Sequence, residues 1–254
     1  MLGDIQLEEF TRDGIVRIPG AFSAEDAARM REVLWRELGE LYGMQPGDRR
    51  TWTPVRPTNL VASKKDSAAN AILGLPLRSA LDQLLGPGGW SEPPHQGQVL
   101  VTLPTDEPWA LPHRQWHTDV GFESPPDELI GIKVWALLGD LEPGGGGTPQ
   151  VAGSHRVIAR YLTTTDERDF KTVRDQVLAS HPWLRQLTRK DRTADLMSET
   201  DLDGIPVRVV ELVGQAGDVY LTHPWVLHSI APNARDTPRM MRSRMIWRTG
   251  SAQR

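Results

Sequence analysis

The chain has 254 residues, of which 39% are hydrophobic and 24% charged, so it can bury a sizeable core without the composition of a membrane protein. Its 29 basic and 33 acidic residues give a net charge of −4, which argues against the broad cationic surface that a nucleic-acid partner needs. Cysteine is absent, which excludes disulfides, thiolate metal sites and a cysteine nucleophile. Apolar runs fall far short of the ~20 residues that span a bilayer, and the acidic start lacks the pattern of a signal peptide. We therefore expect a cytoplasmic protein with neither nucleic acid nor membrane as a partner.

The first part of the chain, about residues 1–94, has mainly helical patterns. A short first helix is expected before a strand at residues 15–19. Ser23 can cap a second helix, because its hydroxyl can accept a hydrogen bond from a free backbone N–H there. Apolar residues then recur at helical spacing as far as Tyr42. Two shorter helices are predicted after it, at residues 67–73 and 77–85.

Strand patterns dominate from about residue 95 to residue 250. Five segments rich in Val, Ile, Leu or Trp are bounded by Gly or Pro, as strands often are. They are residues 98–104, 129–138, 207–213, 218–223 and 239–248. A helical insertion at about residues 166–190 interrupts them. Helices followed by many strands predict a mainly β protein with flanking helices, an antiparallel barrel or sandwich, in one domain over residues 1–254.

The densest chemical signal is the sequence Trp116-His117-Thr118-Asp119. In extended backbone, residues two apart point to the same face, so His117 and Asp119 can converge on one ion. A mononuclear iron(II) oxygenase needs two imidazoles and one carboxylate on one side of the metal, with the other positions open. The third ligand must come from later in the chain. His223 and His228 both qualify, and spacing alone does not choose between them.

Plainer interpretations apply to the same residues. An H-x-D pair arises easily by chance, and a lone histidine is more often a surface or core residue than a ligand. His113 and His117 are four apart, as in a zinc-binding helix, but Pro112 and the missing glutamate of H-E-x-x-H argue against one. Gly144–Gly147 lacks the Lys-Ser/Thr of a phosphate loop and is interpreted as a turn between strands.

The order of the motifs resembles the phytanoyl-CoA dioxygenase family of iron(II)- and 2-oxoglutarate-dependent oxygenases over nearly the whole chain. The N-terminal segment LEEFTRDGIVRIPGAFSAEDAARMR and the H-x-D element WHTD both look like their counterparts in the family. LEPGGGGTPQVAGSHR resembles the family's turn ending in Gly-Ser-His. GDVYLTHPWVLHSIAPNARDTPR resembles the family's closing element. In that element a histidine stands shortly before Pro-Asn, and an arginine stands eleven positions after the same histidine.

This resemblance implies a double-stranded β-helix, a squashed antiparallel barrel, with a defined set of site residues. The implied metal ligands are His117, Asp119 and His228; the implied 2-oxoglutarate-binding residues are Arg239, Trp135 and, more weakly, Gln98. Fe(II) is then the cofactor, and 2-oxoglutarate and O2 are co-substrates. The implied reaction hydroxylates a C–H bond of a small-molecule substrate and releases succinate and CO2, with desaturation, cyclisation and epimerisation as variants. One departure is Ile230, which stands where family members often carry a co-substrate-binding serine; Ser229, or Arg239 acting with water, is the candidate substitute.

Two other classes of function are compatible with the same residues. A cupin-type isomerase or lyase can use two histidines and a carboxylate without oxidation chemistry, although the position of Arg239 argues against it. The other class is a small-molecule binding module without catalytic activity, although the complete set of site residues argues against a loss of activity. No pattern in the sequence selects among the acyl-CoA esters, amino acids, compatible solutes and natural products used in the family, or predicts an oligomeric state.

Overall fold

The computed structural model describes residues 1–251, which form seven α-helices and eight strands. The helices are α1 (Asp4–Asp13), α2 (Ala24–Tyr42), α3 (Val61–Lys65), α4 (Leu75–Leu85), α5 (Ser154–Leu162), α6 (Phe170–Ser180) and α7 (Pro182–Leu187). The strands are β1 (Ile15–Ile18), β2 (Gln98–Thr102), β3 (Gly131–Leu137), β4 (Pro149–Ala152), β5 (Thr200–Leu202), β6 (Ile205–Glu211), β7 (Val219–Thr222) and β8 (Arg239–Trp247). Across these residues, no helix combines the length and the apolar character that crossing a bilayer requires.

The predicted elements are present with small shifts at their ends. Ser23 caps α2, since its hydroxyl accepts a hydrogen bond from the Asp26 N–H at 3.0 Å. Gly43 ends the same helix with a φ of 70°, a left-handed conformation that glycine adopts without strain. Residues 67–73 form a 3-10 helix rather than an α-helix. The sequence patterns did not predict the short elements α3, α5, β4 and β5.

The larger sheet has five antiparallel strands in the order β1-β7-β3-β8-β2. Strand β3 lies at its centre and shows how the faces divide. Its residues Ile132, Val134 and Ala136 belong to a core cluster that also contains residues of α2 and α4. The alternate residues Trp135 and Leu137 belong to another cluster, on the opposite face. Successive side chains of a strand point to opposite faces, so one face of this sheet packs on the N-terminal helices and the other points inward.

The smaller sheet has the strand order β4-β6-β5 and is also antiparallel. Its outer face packs with α5, α6 and α7 in a second core cluster. The cluster on the inner face joins Trp135 and Met241 of the larger sheet to Ala152 of β4. The protein is therefore built as two facing antiparallel sheets with helices on both outer sides. The inward side chains at one end of the space between the sheets form the site described next.

Candidate metal centre

His117 and His228 lie side by side because their backbones pair directly. The His117 N–H donates to the His228 carbonyl at 3.0 Å, and the His228 N–H donates to the His117 carbonyl at 2.9 Å. A further bridge links His228 to Gln150 of β4, so the smaller sheet continues across both histidines. The two imidazole rings are 4.3 Å apart between centroids. Sheet pairing therefore brings together two histidines that are far apart in the chain.

Each imidazole is held in one tautomer by its own backbone. His117 Nδ1 lies 2.8 Å from the Gln115 carbonyl, and His228 Nδ1 lies 3.0 Å from the Val226 carbonyl. A carbonyl oxygen can only accept a hydrogen bond, so Nδ1 carries the proton in each ring and Nε2 keeps its lone pair. Burial, followed by the nearby His228, lowers the pKa of His117 and favours its neutral form. Metal-ligating histidines are typically oriented in this way.

The Asp119 carboxylate completes a group of three possible ligands. Its Oδ2 lies 3.5 Å from His228 Nε2 and 2.8 Å from Lys133 Nζ. Burial acts to raise the pKa of Asp119, but the adjacent His228 ring and the Lys133 ammonium outweigh it and hold that pKa well below its usual range. Asp119 is therefore a carboxylate at any pH at which the protein would be used.

The donor set suits a first-row transition metal. One ligand atom from each of His117, Asp119 and His228 lies within 4.8 Å of the other two. Two imidazole nitrogens and one carboxylate oxygen are the ligands of the facial triad found in non-haem iron(II) oxygenases. The free Nε2 lone pairs and the ionised carboxylate show that these residues fit such an ion without a change of protonation.

His223 is not part of this group. Its ring packs against that of His155 at 4.9 Å between centroids, and its Nδ1 accepts a hydrogen bond from the Trp225 N–H at 3.1 Å. Burial, followed by the charge of His155, lowers the pKa of His223 well below its ordinary value. The structure thus separates the two histidines between which spacing could not choose.

Arg239 is a buried cation without a carboxylate partner among residues 1–251. It is 6% exposed, and its Nη2 donates to the Thr102 hydroxyl at 2.6 Å and its Nη1 to the Thr148 hydroxyl at 3.3 Å. Its Nε is buried and has no hydrogen-bond partner. Burial, followed by the charge of Arg56, lowers the pKa of Arg239 to about 10. A buried guanidinium held only by neutral groups is matched to an anion that enters from the cavity.

The remaining predicted site residues lie around the same space. Trp135 is buried, donates from Nε1 to the Thr222 hydroxyl at 3.0 Å, and meets the His228 ring edge-on at 5.3 Å. Gln98 is exposed at the start of β2 and reaches only the margin of the space. The Ser229 hydroxyl donates to the Arg114 carbonyl at 2.7 Å, so its proton is not available for a hydrogen bond to a bound co-substrate.

All six predicted site residues line one cavity of about 600 Å³. Its volume falls within the range of small-molecule sites. The sequence analysis missed Lys133, Thr102 and Thr148, which contact Asp119 or Arg239. A signal existed for Lys133, because it stands two residues before Trp135 in an otherwise apolar strand and must therefore share its inward face. For the two threonines no signal in the sequence was available.

Several solved structures share this architecture at low sequence identity. AviO1 from Streptomyces viridochromogenes Tue57 is 19% identical, with a TM-score of 0.58 over 98% of this chain and 96% of that one. HygX from Streptomyces hygroscopicus, solved with nickel and 2-oxoglutarate, is 16% identical, with a TM-score of 0.53 over 98% and 88%. The epimerase SnoN, in complex with Fe3+, alpha-ketoglutarate and nogalamycin RO, is 17% identical, with a TM-score of 0.54 over 96% and 83%. These likenesses confirm the predicted fold class, the double-stranded β-helix.

Sequence comparisons agree with the fold. No curated protein sequence matches the chain. The sequence pattern of the phytanoyl-CoA dioxygenase family, PhyH, matches residues 10–241, which is nearly the whole chain and runs from α1 into the start of β8. The chain therefore belongs to the phytanoyl-CoA dioxygenase family.

Proposed function

We propose that this protein is an iron(II)- and 2-oxoglutarate-dependent oxygenase that hydroxylates a C–H bond of a small-molecule substrate. When bound, iron supplies the oxidation chemistry, in which one 2-oxoglutarate and one O2 become succinate and CO2 while one oxygen atom enters the substrate. The observation that carries the proposal is that two features line one cavity. They are the His117–Asp119–His228 group and Arg239, a buried cation with no carboxylate partner among residues 1–251. An ion site and a carboxylate site in one cavity suit a co-substrate that is both a chelator and a dianion.

Each residue has a distinct part in this proposal. His117, Asp119 and His228 would hold the ion on one side and leave positions open towards the cavity. Arg239 would grip the distal carboxylate of 2-oxoglutarate with its planar guanidinium. Trp135 would form an apolar wall that fixes the His228 ring and limits access of water. Membership of the family and the 2-oxoglutarate in the HygX and SnoN structures support these assignments.

The test is an absorption measurement that needs no knowledge of the substrate. Anaerobic protein given iron(II) and then 2-oxoglutarate should develop a weak visible charge-transfer band, because a keto acid binds through two atoms and needs two adjacent open positions. Admitting O2 should then give slow formation of succinate. A cupin-type isomerase or a silent binding module should give neither signal. Protein that binds iron but shows no band and no succinate would contradict the oxygenase assignment.

His223→Ala serves as the matched control for the ligand assignment. His223 is half-buried and packs against His155 outside the group of three ligands, so removing its ring leaves all three proposed ligands in place. We expect this variant to bind one iron(II) per chain and to keep the charge-transfer band, with a lower melting temperature because a cavity replaces the ring. Iron content by elemental analysis, measured beside His228→Ala, checks it. Loss of iron from His223→Ala but not from His228→Ala would reverse the assignment.

A further inference from the structure

Positive charge dominates the lining of the cavity. Four cations line it, and Asp119 is the only carboxylate among the described residues that do so; the cations are Arg56, Lys64, Lys133 and Arg239. Under the proposed function, an iron(II) ion and a 2-oxoglutarate dianion bring charges that cancel each other. The excess of positive charge would therefore persist in the loaded site.

Two of these cations already have assigned partners. Lys133 pairs with Asp119 at 2.8 Å, and Arg239 faces the proposed carboxylate of 2-oxoglutarate. Arg56 and Lys64 make no ion pair within residues 1–251. They stand at the two ends of one wall of the cavity, residues 56–64, which also contributes Leu60 and Val61 to the lining.

This wall is held by two buried charges, although α3 within it has only five residues. The Glu37 carboxylate accepts hydrogen bonds from the Ala62 and Ser63 N–H groups, both at 2.7 Å, at the N-terminal end of α3. Arg242 donates to the Ser63 carbonyl and, at 3.5 Å, to that of Lys64. Glu37 is 5% exposed and Arg242 is 2% exposed. Burying a charge is costly unless it is hydrogen-bonded, and here those hydrogen bonds fix the backbone that carries Lys64.

We propose that the prime substrate carries an anionic group, a carboxylate or a phosphate, which binds Arg56 and Lys64 while its apolar body enters the cavity. Leu60, Val61 and Leu100 offer that body an apolar surface. The hydrogen bonds to residues 62–64 fix the backbone that carries Lys64, so less of this wall has to be ordered when a substrate binds, which reduces the entropic cost of binding. This inference rests on the proposed function, which supplies the positions of iron and 2-oxoglutarate and the need for a prime substrate.

Three probes with one aromatic body test the proposal by calorimetry. They are 2-naphthylacetate, 2-naphthyl phosphate and the neutral 2-naphthaleneethanol. The protein is loaded with Zn(II), which does not activate O2, and saturated with 2-oxoglutarate so that Arg239 is occupied. We expect at least one anionic probe to bind on the order of tenfold more tightly than the neutral one, and this preference to disappear in the double variant Arg56→Gln/Lys64→Gln. Tighter binding of the phosphate than of the carboxylate would narrow the substrate to phosphate-bearing molecules, and the reverse would narrow it to carboxylates.

The control is Lys65→Gln, which removes a neighbouring exposed charge of α3 that does not line the cavity. It should keep the preference, and all variants should keep the wild-type melting temperature. Equal affinity for charged and neutral probes, or a preference that survives in the double variant, would overturn the proposal. So would a double variant that loses affinity for 2-oxoglutarate with no change in probe preference, because the two cations would then serve the co-substrate. Failure of 2-oxoglutarate to bind wild-type protein would instead contradict the proposed function, since the preference is a comparison between probes.

Discussion

Asp119→Ala is expected to lower affinity for iron(II) by at least ~100-fold and to abolish oxidation of 2-oxoglutarate. Changes to residues that only support a metal ligand typically cost 10–100-fold in metal affinity or activity, so loss of a ligand should cost more. The two histidines that remain would leave the ion without its negatively charged ligand. Titration of the metal-free variant with iron(II), followed by the charge-transfer band, measures the loss.

Lys133 gives this experiment a second readout. The Lys133 side chain is only 15% exposed beside Asp119, and in Asp119→Ala its ammonium loses that ion-pair partner. Part of any loss of folding stability should therefore be recovered in the double variant Asp119→Ala/Lys133→Met, which removes the unpaired ammonium of Lys133. Glu123→Ala, a surface change in the same loop, is the control and should bind iron normally. Unchanged iron affinity in Asp119→Ala would remove this carboxylate from the ligand set.

Arg239→Met is expected to raise the dissociation constant of 2-oxoglutarate by on the order of 10² to 10³, because breaking a buried ion pair costs about 3–5 kcal/mol. Binding of iron should persist, since Arg239 contacts none of the three proposed ligands. Calorimetric titration with 2-oxoglutarate in the presence of Zn(II) measures the effect. Arg244→Gln, on the other face of β8, is the control and should bind 2-oxoglutarate as the wild type does.

The same variant should be more stable than the wild type when no ligand is present. Arg239 is buried with only neutral partners, and burial disfavours its charged form, which is the meaning of the lowered pKa. Folding the ligand-free protein therefore includes an uncompensated desolvation cost, which methionine avoids. We expect Arg239→Met to melt at a higher temperature than the wild type without 2-oxoglutarate. A variant that melts lower and binds 2-oxoglutarate normally would mean that Arg239 serves packing.

Whether a feature could be predicted from the sequence depended on how far apart in the chain the interacting residues lie. The alternation of extended backbone is local, so it was enough to expect His117 and Asp119 on one face. The long strands and α2 carried patterns of several residues each, and all of them are present. The choice between His223 and His228 depended on which of them pairs with residue 117, a contact between distant segments that only the family resemblance could suggest.

Helix α3, strand β4 and the two threonines beside Arg239 were not predicted because they depend on distant contacts or have a weak local pattern. Helix α3 has five residues and is too short to be stable by itself; Glu37 and Arg242, from α2 and β8, hold it in place. The roles of Thr102 and Thr148 could not be predicted, because only the strand register of the folded protein places their hydroxyls beside Arg239. Strand β4 has four residues and begins with proline, which gives it a weak pattern.

The backbone pair between His117 and His228 also sets when the site can exist during synthesis. The two residues are roughly 110 positions apart in the chain. A ribosome that has made His117 and Asp119 must therefore add more than a hundred further residues before the third proposed ligand emerges. Contacts this far apart in sequence form slowly, because a long loop has to close first. Until then the nascent chain offers an ion only an H-x-D pair, so the proposed three-ligand site cannot form before His228 has been made and has paired with His117.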